Sequence, residues 1–167
     1  MTDSVDHRLR VLGIDPGLNI TGYAVVDFPG GPPAIIEAGA IRPPSRGALA
    51  DRIATLHEEV SDLVAQTRPD LLAVEKLYAH YKHPRTSILM GHARGVILLA
   101  ARQAGVGIRD LPATNVKKSL TGNGHATKRQ MQLAVQQECN LDAPPEPADI
   151  ADALAIALAA GRHEGRR

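Results

Sequence analysis

The sequence predicts an α/β fold, in which a five-stranded mixed sheet is flanked by helices, and three observations lead to that prediction. Three strand-like segments open the chain at hairpin spacing. After them, helical periodicity and short apolar runs alternate, which is typical of strands joined by crossover helices. The chain has 167 residues, 44% of them hydrophobic, which predicts a single domain over residues 1–167 with one core.

The first three strands are expected to form an antiparallel meander. A turn at Pro16-Gly17 separates the first two strands, and a Gly/Pro cluster at 29–33 separates the second from the third. The predicted strands cover residues 10–15, 20–27 and 34–41.

A helix and a buried strand follow. Apolar residues recur at steps of three and four over residues 47–66, which gives this segment one apolar stripe. Arg68-Pro69-Asp70 ends the helix. Residues 71–74 are a continuous apolar run, consistent with a strand buried on both faces, and this strand ends at Glu75.

The remaining elements are predicted from the same signals. Gly105 ends a second long helix, and Pro147 suits the first turn of the last helix. The expected elements are helix 85–104, strand 106–111, helices 113–120 and 127–139, and a last helix over 147–160. The two ends of the chain, residues 1–8 and 162–167, are expected to be flexible.

Composition excludes several classes of protein. One cysteine, Cys139, cannot form a disulfide framework or a zinc site, and it fits a reducing, cytoplasmic setting. No run approaches the ~18 apolar residues that span a bilayer, and no signal-peptide pattern opens the chain, so no membrane partner is expected. The net charge of +1 is too small to indicate nucleic acid by itself, which leaves local charge clusters as the evidence.

Four carboxylates occupy positions suited to catalysis. Asp15 and Glu75 end predicted strands, and Asp149 and Asp152 share one face at the start of the last helix. If the first and fourth strands are neighbours, Asp15 and Glu75 lie side by side, and the last helix adds its pair. Each residue alone has a simpler explanation, because strand-end carboxylates are commonly only solvated and acids near a helix N-terminus favour the helix dipole. That explanation is weaker for Asp152, whose neighbours in the sequence are apolar.

As a set, the four carboxylates require a cation. Two like charges ~4 Å apart repel by roughly 4 kcal/mol at an effective dielectric constant of about 20. A hard divalent ion with oxygen ligands removes that penalty, which predicts Mg²⁺ or Mn²⁺. Two such ions, ~3.5–4 Å apart, hold the attacking water and the leaving oxygen of a phosphodiester. No His-x-x-x-His pattern or cysteine pair offers a zinc alternative.

Aromatic rings alternate with cations directly after Glu75. The chain has three tyrosines and one phenylalanine, and two of these four rings, Tyr78 and Tyr81, lie in this segment. Rings stack on exposed bases while neighbouring cations hold the phosphates. The resulting DNA-binding candidates are Lys76, Tyr78, Lys82 and Arg85. The alternative is that either ring packs onto the core.

A second basic cluster surrounds a Gly-rich loop at 121–128. The loop lacks the spacing of a nucleotide-binding P-loop, and Thr127 is expected to cap the helix that follows. Backbone amides of the loop, with Lys117, Lys118 and Lys128, are candidates for holding a nucleic-acid phosphate. This interpretation depends on their lying near the carboxylates.

Several motifs, in order along the chain, resemble those of the RuvC family of Holliday-junction resolvases. They are Gly13-Ile-Asp-Pro-Gly17, Thr21-Gly-Tyr23, Ala73-Val-Glu-Lys76, Gly91-His-Ala-Arg-Gly95 and Asp149-Ile-Ala-Asp-Ala-Leu-Ala-Ile156. The resemblance runs from about Leu9 to Ala160. It implies a ribonuclease-H-like fold, dependence on Mg²⁺ or Mn²⁺, and a homodimer that resolves four-way junction DNA by paired incisions. It also implies partnership with the RuvA and RuvB branch-migration proteins.

The resemblance also assigns roles, position by position. The family's metal-binding catalytic carboxylates are matched by Asp15, Glu75, Asp149 and Asp152. Lys117 and Lys128 match basic positions near the scissile strand, with Lys117 expected to act in catalysis by stabilising charge on the phosphate. Tyr78 matches a position where the family usually has a phenylalanine that stacks on a junction base. Some members have histidine at the position of Asp149, which leaves the metal preference open.

The sequence leaves the assembly and several alternative functions open. A two-fold junction needs two cuts, which a C2 dimer supplies, and helix 85–104 is the candidate interface because its apolar residues cover more than one face. The same pattern also fits a helix enclosed by its own core. The alternatives are a nuclease of the same fold acting on RNA or other branched substrates, and a junction-binding scaffold, which the intact carboxylates disfavour. An ATP-binding protein of the actin and sugar-kinase superfamily would need two duplicated domains, for which the chain is too short.

Overall fold

The structure, a computed structural model, describes residues 8–78 and 83–165, and it contains the ten predicted elements in the predicted order. The strands are β1 (Leu9–Asp15), β2 (Thr21–Phe28), β3 (Ala34–Ile41), β4 (Leu71–Glu75) and β5 (Gly107–Leu111). The helices are α1 (Leu49–Thr67), α2 (Pro84–Gln103), α3 (Ala113–Thr121), α4 (Lys128–Glu138) and α5 (Ala148–Glu164).

The strands form one mixed sheet in the order β3-β2-β1-β4-β5. β1, β2 and β3 form the expected antiparallel meander. β4 pairs in parallel with β1, and β5 pairs in parallel with β4. The predicted α/β fold with a five-stranded mixed sheet is therefore confirmed, and β1 and β4 are the neighbours that the site prediction required.

Helices cover both faces of the sheet, because the side chains of each central strand point alternately to the two sides. On β1, Val11 packs with α5, α3 and α4, whereas Leu12 and Ile14 pack with α1 and α2. The residues at 72–74 of β4 are fully buried, as their continuous apolar run predicts for a strand covered on both faces.

Helix α5 lies directly against β1, because Gly13 of the strand has no side chain. A Cβ atom at Gly13 would lie 2.3 Å from the carbonyl oxygen of Ala153 and 2.7 Å from the amide nitrogen of Ala157. This close approach fixes the path of α5 across the sheet, and it brings the first turn of the helix to the end of β1.

The predicted end of the last helix is wrong. The helix continues beyond Ala160 to Glu164, so residues 162–164, expected in a flexible tail, form its last turn. Gly161 does not end the helix but allows it to pass close to the ring of Phe28, since a Cβ there would lie 2.1 Å from the ring Cζ. Arg162 then holds the last turn by donating to the carbonyl oxygen of Ser119 and pairing with Glu138.

None of the helices in the described part of the chain has the length and apolar content needed to cross a membrane.

Candidate active site

Asp15 and Glu75 lie at the same edge of the sheet. Each is the last residue of its strand, and β1 and β4 run in parallel, with Ile14 paired to Val74 immediately before them. Since the carboxyl ends of parallel neighbours meet at one edge, the two side chains are adjacent, as the sequence predicted. Both residues are half-buried.

The first turn of α5 adds the other two carboxylates. Asp149 and Asp152 are both half-buried, and Asp152 lies between the buried residues Ala151 and Ala153. Gly22 of β2 lets this turn rest on the sheet, because a Cβ at Gly22 would lie 2.0 Å from the carbonyl oxygen of Asp149. The helix therefore presents its acidic face to the ends of β1 and β4.

The turn that follows Asp15 is held by hydrogen bonds of Thr21. The Thr21 hydroxyl donates to the carbonyl oxygen of Gly17 at 2.6 Å and accepts from the amide of the same residue at 3.2 Å. Thr21 is itself fully buried, so the loop between β1 and β2 is fixed beside the acidic edge.

Burial disfavours the charged form of these carboxylates, and their mutual repulsion adds to that effect. Burial, followed by the charges of Asp152, Asp149 and Glu75, raises the pKa of Asp15 from its ordinary value of 3.8 to about 7, and the Lys128 ammonium opposes this rise. Asp15 is the residue on which the other three charges act, which makes it the electrostatic centre of the set.

The neighbouring carboxylates are perturbed in the same direction. Burial and the charge of Asp152 raise the pKa of Glu75, while Lys117 lowers it. Burial also raises the pKa of Asp152, against the opposing effect of Lys128, whose Nζ lies 3.5 Å from Asp152 Oδ2. Thus Lys117 and Lys128 compensate only part of the negative charge.

The donor set fits a hard divalent cation. All four groups are carboxylates, and oxygen donors of this kind are the preferred ligands of Mg²⁺ and Mn²⁺. Like charges that raise one another's pKa are the charges that a bound cation stabilises. Within residues 8–78 and 83–165, no three His, Cys, Asp or Glu side chains already form a closed ligand set.

A cleft of about 320 Å³ opens above this edge of the sheet. Its polar wall consists of Asp15, Glu75, Asp152, Lys117 and Lys128. Its apolar floor comes from α3, α4 and α5, through Val116, Met131 and Ile156 among others. The cleft therefore joins three of the four predicted carboxylates to Lys117 and Lys128, the two lysines expected near the scissile strand, and Asp149 lies one turn earlier on α5.

Local structure explains how the two lysines reach this cleft. Lys117 lies on α3, which follows the end of β5 directly. Lys128 begins α4, whose N-terminus is fixed by a capping box: Thr127 accepts from the amide of Gln130, and the Gln130 side chain accepts from the Thr127 amide. The prediction that Thr127 caps this helix is confirmed.

The predicted DNA-binding segment after Glu75 is exposed where the structure describes it. The ring of Tyr78 is 52% exposed, so it is not part of the core. Lys76 and Arg85 are also exposed. Lys82 and Tyr81 lie outside the described residues.

Lys118 is separated from the carboxylates. It is exposed on α3 and lines a different cleft from its neighbour Lys117. Consecutive residues of a helix point about 100° apart, which explains the separation.

Sequence reasoning did not assign a role to Arg94 of α2. Its Nε donates to the backbone oxygen of Glu75 at 3.3 Å, and its guanidinium pairs with Asp110 of β5. It thereby ties α2 to the ends of β4 and β5, beside the carboxylates. The only available signal was its place in the motif Gly91-His-Ala-Arg-Gly95.

Known proteins resemble this chain over nearly its whole length. The model of the family described as "Crossover junction endodeoxyribonuclease RuvC" matches residues 11–160. A protein of that name from Rhodopirellula baltica is 52% identical over 148 residues, which cover 89% of this chain and 83% of the relative. Another, from Gloeobacter violaceus, is 44% identical over 156 residues, or 93% of this chain and 89% of the relative. The solved structure "T. thermophilus RuvC in complex with Holliday junction substrate" matches with a TM-score of 0.87 and 31% identity, covering 93% of this chain and 94% of that one.

Proposed function

This chain belongs to the RuvC family of crossover junction endodeoxyribonucleases, and we propose that it resolves Holliday junctions by metal-dependent cleavage at Asp15, Glu75, Asp149 and Asp152. The observation that carries this proposal is the burial of Asp15 among three other carboxylates, which raises its pKa to about 7. Buried carboxylates that destabilise one another's charged forms in the metal-free protein are stabilised by a bound cation.

The four carboxylates would hold two Mg²⁺ or Mn²⁺ ions. When bound, such ions activate a water molecule and stabilise the leaving oxygen of a phosphodiester. Asp15 is central, because the other three charges all act on it. The set from β1, β4 and α5 thus aligns the scissile phosphate above the edge of the sheet.

The two lysines of the cleft act on the phosphate. Lys117 is half-buried, and it stabilises the negative charge that develops on the phosphate during hydrolysis. Lys128 is exposed at the start of α4, with its Nζ 3.5 Å from Asp152 Oδ2, and it holds the backbone of the cut strand. Their opposing effects on the carboxylate pKa values support this placement, since each cation is close enough to act on the site.

The segment after β4, in which the described residues Lys76 and Tyr78 are exposed, recognises the junction. The ring of Tyr78 is available to stack on a base at the crossover, and stacking contributes roughly 1–3 kcal/mol per base. Lys76 and Arg85 hold nearby phosphates, and we extend the same role to Lys82. Lys118, on α3, holds a phosphate farther from the carboxylates. These contacts select a branched substrate whose bases are exposed at the crossover.

The protein acts as a homodimer through α2. Ile88 and Leu99 of this helix are 62% and 49% exposed, although both are large apolar residues. Val96 and Leu99 also line an apolar groove against α1. A C2 pair of chains supplies the two active sites that paired incisions require. We further propose that RuvA and RuvB are its partners and that it works in the cytoplasm.

Cleavage of a synthetic mobile four-way junction tests the proposal. The substrates are the DNA junction, linear duplex, single strand and an RNA junction, each with Mg²⁺, Mn²⁺ or EDTA. We expect paired nicks in the DNA junction alone, lost in EDTA and in Asp15→Asn. Tight junction binding without cutting in either metal would instead identify a scaffold, and equal cutting of RNA would show a broader nuclease.

A further inference from the structure

A second cleft, lined by basic side chains, lies on the other side of α3 from the carboxylates. Its volume is about 610 Å³, and the ends of α3 and α5 form its walls. Its polar lining consists of Asn115, Lys118, Ser119, Arg162 and His163. No residue lines both this cleft and the carboxylate cleft, so α3 forms a ridge between two separate sites.

We propose that this cleft binds a second phosphate of the DNA strand whose scissile phosphate lies at the carboxylates. The inference rests on the proposed function and adds a site for the flanking backbone. Lys118 is exposed, and it forms no ion pair with any other described residue, so its charge is available to a ligand.

Arg162 supplies a donor whose orientation is already fixed. Its guanidinium donates to the carbonyl oxygen of Ser119 and pairs with Glu138 at 2.5 Å between Nη2 and Oε2. Because Glu138 neutralises the charge of Arg162, the excess positive charge of the cleft comes from Lys118. An arginine held in this way loses little conformational entropy when it contacts a phosphate.

His163 contributes a further nitrogen at the mouth of the cleft. Its side chain is about half exposed, and its Nδ1 lies 3.7 Å from Glu164 Oε1. Glu164 is in turn paired with Arg109, so its charge is compensated within the last turn of α5. A purely structural role, in which Arg162 ties α5 to α3 and α4, accounts for Arg162. It does not account for Lys118 and His163, which line the same cleft.

The helix geometry gives the distance between the two sites. Asp152 lines the first cleft and Arg162 the second, and at 1.5 Å per residue they lie about 15 Å apart along α5. Phosphates of one strand rise about 3.4 Å per nucleotide along the axis of B-form DNA and also wind around it, so a separation of about 15 Å in space spans roughly two to three phosphates. The second site therefore takes roughly the second to fourth phosphate from the cut.

A chemical double-mutant cycle tests this assignment. The protein carries Asp15→Asn to prevent cutting, and each junction carries one uncharged methylphosphonate at a defined phosphate on either side of the cleavage position. We expect a methylphosphonate at one of the second to fourth phosphates to weaken binding about threefold to tenfold, the range between an exposed ion pair and a charge-assisted hydrogen bond. In the protein that also carries Lys118→Gln, the same methylphosphonate should have a clearly smaller effect, because only Arg162 and His163 then remain to contact that phosphate.

The salt dependence of binding supplies an independent readout. Lys118→Gln should lower the slope of log Kd against log salt by about one, since one phosphate contact is lost. His163→Gln should give a smaller loss at the same phosphates. Arg68→Gln is the matched control, because Arg68 lines a different cleft at the end of α1, and it should behave like the parent protein.

Two results would overturn the inference. If the methylphosphonate effects are the same with and without Lys118, that residue contacts none of the phosphates tested, and the cleft has another role. If the parent protein does not prefer the junction to linear duplex, the proposed function fails and the second site fails with it.

Discussion

Replacing Asp15 by asparagine should stabilise the metal-free protein at alkaline pH, although it removes the central residue of the site. The pKa of Asp15 is raised from 3.8 to about 7 in the folded chain, mainly by burial and then by the neighbouring carboxylates. A raised carboxyl pKa contributes stability that is fully present below pH ~4 and is lost as the pH rises through about 7. Ionised Asp15 therefore destabilises the native state at pH 8, and asparagine cannot ionise.

The magnitude follows from the size of the shift. A rise in the pKa of Asp15 from 3.8 to about 7 corresponds to about 4 kcal/mol, since one pKa unit is equivalent to about 1.36 kcal/mol. Asp15 is only half-buried and Lys128 can move toward it, so solvent and side-chain relaxation reduce this ceiling to about 2 kcal/mol. The gain should fall to about 1 kcal/mol, roughly half of that value, at pH ~4.5, where the native carboxyl is mostly protonated and the unfolded one is largely ionised.

Urea unfolding in EDTA, at several pH values and one protein concentration, measures this effect. Asp62→Asn is the control, because Asp62 is exposed on α1, and it should change stability by less than about 0.5 kcal/mol at every pH. Saturating Mg²⁺ should reverse the order, since a ligand that binds only the native state stabilises the wild-type protein. If Asp15→Asn were less stable than wild type in EDTA at pH 8, or if its gain did not vary with pH, the charge of Asp15 would not be what destabilises the native state.

Three further predictions concern the surroundings of the site. Gly22→Ala should destabilise the protein by about 1–3 kcal/mol and weaken Mn²⁺ binding, because the new Cβ displaces the turn that carries Asp149. Urea unfolding and metal titration measure the two effects, and Gly31→Ala, whose Cβ would meet no neighbouring atom, is the control. Arg94→Met should lower the free energy of unfolding by about 1–3 kcal/mol, because the backbone oxygen of Glu75 and the carboxylate of Asp110 both lose their donor. Arg94→Lys keeps the positive charge and should lower the free energy of unfolding by less. Tyr78→Ala should leave stability within about 0.5 kcal/mol but weaken junction binding by roughly 1–3 kcal/mol, with Tyr78→Phe close to wild type by fluorescence anisotropy.

Local signals in the sequence predicted most of the fold and the positions of the carboxylates. The apolar run of β4 predicted a strand in the middle of the sheet. Glu75, at the end of that strand, lies beside Asp15 only because β4 pairs with β1. That pairing depends on the order of strands in the sheet, which periodicity does not contain. The sequence therefore predicted that Asp15 and Glu75 are neighbours only on the condition that β1 and β4 pair, and the strand order β3-β2-β1-β4-β5 meets that condition.

Contacts between elements account for what the sequence did not predict. Gly161 has the appearance of a helix terminator, and its actual role, to admit the ring of Phe28, depends on a residue far away in the chain. The bond from Arg94 to the end of β4 likewise joins segments that share no local pattern. Such features arise from three-dimensional packing, so single-sequence signals such as capping and periodicity do not reveal them.

The same arrangement that serves catalysis opposes the stability of the metal-free fold. Strand pairing places β4 beside β1, and the glycine contacts at Gly13 and Gly22 place α5 against the sheet. Each of β1, β4 and α5 delivers a carboxylate into a setting where burial disfavours its charge. The core beneath them, fully buried on both sides of β1 and β4, supplies the stability that offsets this repulsion. Lys128 relieves only part of it from 3.5 Å, and because it is exposed it can turn away when a cation or a phosphate arrives. A bound cation stabilises these carboxylate charges, and it binds the ionised form of Asp15. Affinity for the ion should therefore increase with pH as Asp15 loses its proton.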